Sequence, residues 1–114
     1  MKSIEEKALA YLGFAVRARR AVIGVSLMCE ALKSTPVRGD TVSRIVLEAA
    51  DTSANTHKRI ADRTAYYHVP AVRLSLDGES LAVAVGKRGG TVGAVLVTDD
   101  SLAAAIAALY GISM

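Results

Sequence analysis

The chain has 114 residues, of which 52% are hydrophobic and 22% are charged. This composition excludes an intrinsically disordered chain and predicts a single domain, residues 1–114, with its own hydrophobic core. The formal net charge of +3 permits nucleic-acid binding but does not demonstrate it.

The cysteine count and the absence of long apolar runs exclude several further classes. Cys29 is the only cysteine, so neither an intramolecular disulfide nor a multi-cysteine zinc site can form. Its place among apolar residues predicts a buried, unreactive thiol. No signal peptide is recognisable, and no apolar run approaches the roughly 18 residues of a membrane-spanning helix. We therefore expect a cytoplasmic protein that does not contact a membrane.

Hydrophobic periodicity and turn residues divide the first half of the chain into alternating helices and strands. Apolar residues recur every three or four positions before Arg17, and again after Gly24, so helices are expected in both stretches. The predicted elements are a helix at 3–16, a short strand at 21–23, a helix from Gly24 to about Lys33, a loop from Ser34 to Thr41 and a buried strand at Ile45 to Leu47.

The second half continues the same alternation. Polar residues that commonly cap helices stand before each expected helix, and Pro70 ends the third one. The elements are a helix that opens within Asp51 to Thr56 and runs to about His68, a strand at Ala71 to Leu74, a helix at Leu81 to Val85 capped by Asp77, a strand at Gly93 to Thr98 and a final helix capped by Asp99 and Asp100. Strands that alternate with helices predict an α/β domain with helices on both faces of one sheet.

The sequence contains little that would support catalysis. His57 and His68 are eleven residues apart on one predicted helix, about 16 Å by helical rise, so they cannot share a metal ion. Asp99 and Asp100 resemble a magnesium-binding pair, but no phosphate-binding loop or dinucleotide fingerprint accompanies them, and helix capping explains both. We therefore expect no enzymatic activity, no catalytic residue, no metal, no cofactor and no small-molecule substrate; a divalent-metal enzyme is the least favoured alternative.

Polar and basic residues concentrate at three junctions, residues 19–26, 51–58 and 87–91. Backbone N–H groups at the start of the second helix, at Val25 and Ser26, favour an anion there. The nearby Arg19 and Arg20 are open to two interpretations, a solvated helix end or a phosphate-facing patch. If the junctions meet at one edge of the sheet, they suit a phosphate-rich polymer better than a small apolar ligand.

Three stretches of the chain resemble the ribosomal L-seven-Ae / L-thirty-e / Gadd-forty-five superfamily, and in particular its bacterial branch of YlxQ/YbxF-like kink-turn RNA-binding proteins. The stretches are Leu12 to Arg19 followed by Gly24, then Ile45 to Lys58, which is the most specific, and then Tyr66 to Pro70 with Leu81 to Lys87 and Val95 to Asp99. The resemblance implies a three-layer α/β/α sandwich with a mixed four-stranded sheet. It also implies a ribosome-associated, ribonucleoprotein-type function, with structured RNA, in particular ribosomal RNA, as the partner.

The chain departs from this family at the second helix, where RNA-binding members carry Gly-x-Asn-Glu-x-x-Lys. Gly24 is retained, but Ser26, Leu27 and Glu30 stand at the Asn, Glu and Lys positions. Leu27 cannot accept a hydrogen bond from a base, and Glu30 would repel a phosphate. The expected RNA-binding residues are Arg19, Arg20, Gly24, Val25, Ser26, Lys33, Asn55, Lys58, Lys87, Arg88 and Thr91. A protein-interaction module on the same fold is the main alternative, with a protein partner in place of RNA.

Overall fold

The computed structural model describes residues 3–34 and 44–112, so most of the predicted loop from Ser34 to Thr41 lies outside the described residues. Five helices and four strands alternate in the predicted order. They are α1 (Ile4–Arg17), β1 (Ala21–Ile23), α2 (Val25–Ser34), β2 (Ile45–Glu48), α3 (Ala54–Tyr66), β3 (Ala71–Arg73), α4 (Gly78–Ala84), β4 (Ala94–Val97) and α5 (Asp100–Leu109).

The four strands form one mixed sheet in the order β1-β4-β2-β3. β4 lies antiparallel to both of its neighbours, with Val97 opposite Ala21 on one side and opposite Ile45 on the other. β2 and β3 are parallel. The C-terminal ends of β1, β2 and β3 therefore lie at the same end of the sheet, where β4 begins. A cleft opens there, and we call this end of the sheet the cleft edge.

Each face of the sheet is covered by its own helices. Side chains alternate between the faces along β2, so Ile45 and Leu47 pack against α1, α4 and α5, whereas Val46 packs against α2 and α3. The cluster of buried residues between the sheet and helices α2 and α3 contains Cys29, which is buried and free, as the sequence predicts. Helices, sheet and helices form the three layers of an α/β/α sandwich, which confirms the predicted fold class.

Two helix boundaries differ from the sequence prediction. α3 ends at Tyr66 and not at His68, because His68 adopts a left-handed conformation (φ 55°) and the next N–H, of Val69, donates back to Thr64 O at 2.9 Å. The prediction that both histidines share one helix was therefore wrong. α4 begins at Gly78, three residues before the predicted start, because the Asp77 side chain accepts from Ser80 N–H at 2.8 Å and caps the helix there.

Gly24 and Gly13 make a matched pair for testing the local backbone. Gly24 has φ 105°, a conformation that side chains disfavour, whereas Gly13 lies inside α1 with open space where a Cβ would be placed. We expect Gly24→Ala to destabilise the fold by about 1–3 kcal/mol and Gly13→Ala to stabilise it by about 0.5–1 kcal/mol. Urea unfolding of the two variants measures both changes, and equal changes of the same sign would contradict the role of Gly24.

Candidate functional site

The starts of α2, α3 and α4 and the start of β4 meet at the cleft edge. Two backbone hydrogen bonds fix this arrangement: Gly24 N–H donates to Ala94 O at 2.9 Å, and Ala49 N–H donates to Gly93 O at 2.8 Å. The first holds the beginning of α2, and the second holds the segment that leads into α3. Two of the predicted junctions, the second-helix start and the segment before α3, therefore lie on either side of β4.

An open cleft with a volume of about 280 Å³ lies between these elements. Its walls come from the start of α2, the segment that opens α3, the start of α4 and the segment before β4. The side chains that line the cleft include three hydroxyl groups, one carboxylate and two valines. The lining residues are Val25, Asp51, Thr52, Thr56, Gly78, Thr91, Val92 and Gly93.

Two glycines allow the walls to approach one another. A Cβ on Gly93 would lie 2.9 Å from Val25 Cγ2, closer than real Cβ atoms come, so only glycine fits this position without a shift. A Cβ on Gly78 would lie 3.2 Å from Thr91 Cβ, and Gly78 N–H donates to Asp51 Oδ1 at 2.8 Å. The cleft therefore depends on close backbone packing as well as on its side chains.

The helix starts determine much of the electrostatics of the cleft edge. Gly24 has no side chain with which to cap α2, so the N–H groups of the first turn, at Val25 and Ser26, point outward without a side-chain acceptor from Gly24. The start of α3 is capped differently, since Ser53 Oγ accepts from Thr56 N–H at 3.1 Å. The positive dipole ends of both helices favour an anionic ligand at this edge.

A carboxylate also lies beside the cleft. Hydrogen bonds from the Ser80 backbone N–H and from the Ser80 hydroxyl hold the pKa of Asp77 below its ordinary value, so Asp77 is ionised at neutral pH. Asp77 caps α4, and the residue after it, Gly78, lines the cleft. The surface offered to a ligand therefore combines N–H donors, hydroxyls and two carboxylates, those of Asp51 and Asp77.

A buried carboxylate supports the segment that opens α3. Glu48, at the end of β2, is only 3% exposed and accepts hydrogen bonds from the Thr52 hydroxyl and from His57 Nδ1, the latter at 2.8 Å. Because a carboxylate only accepts, the Nδ1 atom of His57 carries the proton. Arg73 Nε lies 3.9 Å from Glu48 Oε2, and Arg73 Nη2 donates to Ala50 O at 2.9 Å. These contacts join the ends of β2 and β3 to the cleft wall.

Sequence reasoning missed this Glu48 network. A position near a helix start suggests a surface residue at His57, yet its ring is half-buried against Glu48. One signal was available, since Glu48 is an ionisable residue that directly continues the apolar run of a buried strand, and a buried charge requires partners. The partner Arg73 lies 25 positions further along the chain, on a strand that only the topology brings alongside β2.

The predicted binding residues fall into four groups in the structure. Gly24, Val25, Ser26, Asn55 and Thr91 lie at the cleft or beside residues that line it. Lys87 and Arg88 are exposed in the segment between α4 and Thr91. Two further cations occupy exposed ion pairs: Lys58 lies 2.9 Å from Asp62, and Lys33, in the last turn of α2, lies 3.5 Å from Glu30.

Arg19 and Arg20 form the fourth group, and they lie at the opposite edge of the sheet. Thr98 N–H donates to Arg20 O at 2.8 Å, which fixes Arg20 beside the end of β4, whereas Gly24 lies beside its beginning. β1 runs between them. The predicted junction at residues 19–26 therefore spans the sheet, and only its second half reaches the cleft.

The residues considered for metal binding also lie away from the cleft. Asp99 follows the end of β4 and caps α5, with Oδ1 accepting from Leu102 N–H at 2.9 Å. Within residues 3–34 and 44–112, no group of three or more His, Cys, Asp or Glu side chains is arranged to hold a metal ion. Over the same ranges, no helix has the length and apolar character needed to cross a membrane.

The fold and the cleft define a class of protein, the three-layer α/β/α sandwiches with a mixed four-stranded sheet and a cleft at one end of it. One solved structure, a protein of unknown function from Bacillus halodurans C, is 26% identical, with a TM-score of 0.75 over 92% of this chain and 97% of that one. A 15.5 kD RNA-binding protein of Giardia lamblia shares the fold at 15% identity, with a TM-score of 0.71 over 97% of this chain and 88% of that one.

Curated relatives identify the family within this class. The RNA-binding protein YlxQ of Bacillus subtilis is 35% identical over 95 residues, which is 81% of this chain and 83% of that protein. The protein of the same name from Enterococcus faecium is 34% identical over 74 residues, which is 65% of this chain and 66% of that protein, just under two thirds. The chain belongs to the YlxQ family. No family model matches the chain. The expectation that it is not an enzyme agrees with these relatives, which are named for binding and not for catalysis.

The Glu48 network predicts that removing the buried carboxylate of Glu48 lowers the free energy of unfolding more than removing an exposed carboxylate does. Glu48→Ala leaves the Thr52 hydroxyl and His57 Nδ1 without their acceptor and removes the ion-pair partner of Arg73, so we expect a loss of about 2–3 kcal/mol in the free energy of unfolding. Asp62→Ala removes the exposed partner of Lys58 and should change that free energy by less than about 1 kcal/mol. Urea unfolding compares the two variants, and an equal cost for both would contradict the supporting role of Glu48.

Proposed function

We propose that the chain is a ribosome-associated RNA-binding protein and that the cleft edge receives a kinked or structured RNA of the kink-turn type. The observation that carries this proposal is the convergence of two helix N-termini and three threonine hydroxyls on one open cleft, in a chain whose relatives are named RNA-binding proteins. Donors and hydroxyls of this kind bind phosphate and sugar groups. Lys87 and Arg88, on the segment that enters the cleft at Thr91, add positive charge.

The chemistry of α2 determines the kind of recognition that we propose. Ser26 retains one hydrogen-bonding group, while Leu27 is 63% exposed and Glu30 is held by Lys33 at 3.5 Å. The ion pair offsets the charge of Glu30, so its repulsion of a phosphate is weakened. Of these three residues on α2, only Ser26 can contribute a base-specific contact. Binding therefore depends on shape and on phosphate contacts from the backbone N–H groups and the basic segment.

Two double variants test the proposed contacts. One removes two positive charges at the cleft edge, and the other removes two at the opposite edge of the sheet. We expect Lys87→Gln with Arg88→Gln to weaken binding to a kink-turn RNA and to reduce the slope of log K against log salt by about 2, because two phosphate contacts are lost. The control, Arg19→Gln with Arg20→Gln, removes the same charge at the opposite edge and should leave the slope nearly unchanged. Fluorescence anisotropy across a salt series measures both.

If the two double variants lose affinity equally, the proposed location is wrong and only a generic basic surface binds RNA. A second RNA, in which the tandem G·A pairs are replaced, tests the kink itself. The proposal predicts tighter binding to the intact kink-turn at moderate salt. Failure of the unmodified protein to bind either RNA would contradict the RNA proposal altogether.

Restoring the family's residues on α2 tests the proposed weakening of base contacts. The triple change Ser26→Asn, Leu27→Glu and Glu30→Lys supplies the pattern of the RNA-binding members. We expect at least about tenfold tighter binding to the intact kink-turn, because each good base contact contributes about 1–3 kcal/mol. Replacement of the G·A pairs should abolish this gain. An unchanged affinity would show that α2 does not contact bases.

A protein partner is the second candidate function, and one observation favours it. Leu27 places a largely exposed aliphatic side chain next to the cleft, where a base contact would require a polar one. A protein partner that covered this side chain would remove its apolar surface from water, which favours association. This candidate predicts that Leu27→Ser leaves RNA binding unchanged while it weakens association with a protein, which pull-down with the unmodified and variant proteins would compare.

A further inference from the structure

The outward face of α3 carries an arrangement of residues that begins beside the cleft and extends away from it. At 100° per residue, Asn55, Arg59, Arg63 and Tyr66 lie within an arc of about 80°, away from the buried Ile60 and Thr64. We call these four residues the α3 stripe. Its first member, Asn55, is adjacent to Thr56, which lines the cleft, and its last, Tyr66, lies about 16 Å further along the helix.

The two arginines of the α3 stripe carry positive charge that the described part of the chain does not neutralise. Neither Arg59 nor Arg63 forms an ion pair with another residue in the ranges 3–34 and 44–112. The neighbouring Lys58 differs, since Asp62 holds it at 2.9 Å. Arginines four residues apart on one helix are neighbours in space, so their fields add and attract a polyanion.

Tyr66 adds an aromatic surface at the far end of the α3 stripe. It is 75% exposed, and its ring meets the ring of Tyr67 edge to face, with centroids 4.9 Å apart and planes at 80°. Tyr67 in turn packs against the buried cluster beneath α2 and α3. The exposed ring is therefore supported from below and is of the kind on which an unpaired base stacks.

We infer that the α3 stripe binds a single strand of RNA that continues out of the cleft, with phosphates at Arg59 and Arg63 and an unpaired base stacked on Tyr66. This inference rests on the proposed function, since the strand begins at the cleft. Two observations select RNA as the occupant: the uncompensated positive charge matches a phosphate backbone, and the stripe is continuous with the cleft through Asn55 and Thr56. Two cations followed along the helix by an exposed aromatic ring suit a single strand, whose bases are free to stack.

The test compares a kink-turn RNA with the same RNA carrying a short uridine tail at its 5′ or its 3′ end. We expect one of the tailed RNAs to bind the unmodified protein at least about fivefold more tightly than the untailed RNA. Tyr66→Ala should remove this gain, and Tyr66→Phe, which keeps the ring, should retain it. Arg59→Gln with Arg63→Gln should remove the gain and reduce the salt slope by about 1–2 for the tailed RNA only.

Two controls distinguish binding at the α3 stripe from a general loss of charge and from a loss of helix. Lys7→Gln with Arg17→Gln removes equal charge from α1, on the other face of the sheet, and should keep the full gain from the tail. Because Arg63 also lies in the last turn of α3, circular dichroism must show an unchanged helix content in the arginine variant. The inference alone is overturned if the untailed RNA binds but neither tail adds affinity. If no RNA binds, both this inference and the proposed function are contradicted.

Discussion

The placement of β4 between β1 and β2 determines the geometry of the cleft edge. Just before β4, Gly93 accepts from Ala49, and at its first residue Ala94 accepts from Gly24. One short segment therefore holds both the start of α2 and the approach to α3, and the absent side chain of Gly93 lets Val25 pack closely against it. Because these constraints are backbone contacts, they tolerate wide changes in the side chains that a ligand would meet.

The same edge combines features that belong to the backbone with features that belong to side chains. The helix N-termini belong to the backbone and persist whatever residues follow Gly24. The side chains on α2 add chemistry of another kind, an exposed leucine and a carboxylate paired to Lys33. Under the proposed function, phosphate contacts from the backbone would therefore persist where base contacts from α2 are weak.

The Glu48 network gives rigidity to one wall of the cleft. A buried carboxylate that accepts from Thr52 and His57, with Arg73 beside it, ties the segment after β2 to the neighbouring strand β3. Replacing an apolar residue with such a group is unfavourable unless every partner is in place. The network therefore favours one conformation of the segment that carries Asp51 and Thr52 into the cleft.

Much of this architecture could be predicted from local pattern. The periodicity of α1 and α2, the cap residues Ser53 and Asp77 and the apolar run of β2 all lie in contiguous sequence, and the nine elements follow in the predicted order. The sheet positions could not be predicted in this way. Arg20 and Gly24 are only four residues apart, yet a three-residue strand carries them to opposite edges. The pairing of Glu48 with Arg73 depends on strand order, which local pattern does not contain.

Amide chemical-shift mapping during titration with a kink-turn RNA would locate the interface most directly. The structure predicts that the largest shifts fall at Val25 and Ser26, at Thr52 to Thr56 and at Lys87 to Gly93, while the amides of Arg19 and Arg20 change little. Shifts concentrated at Arg19 and Arg20, or spread evenly over all exposed cations, would contradict binding at the cleft edge.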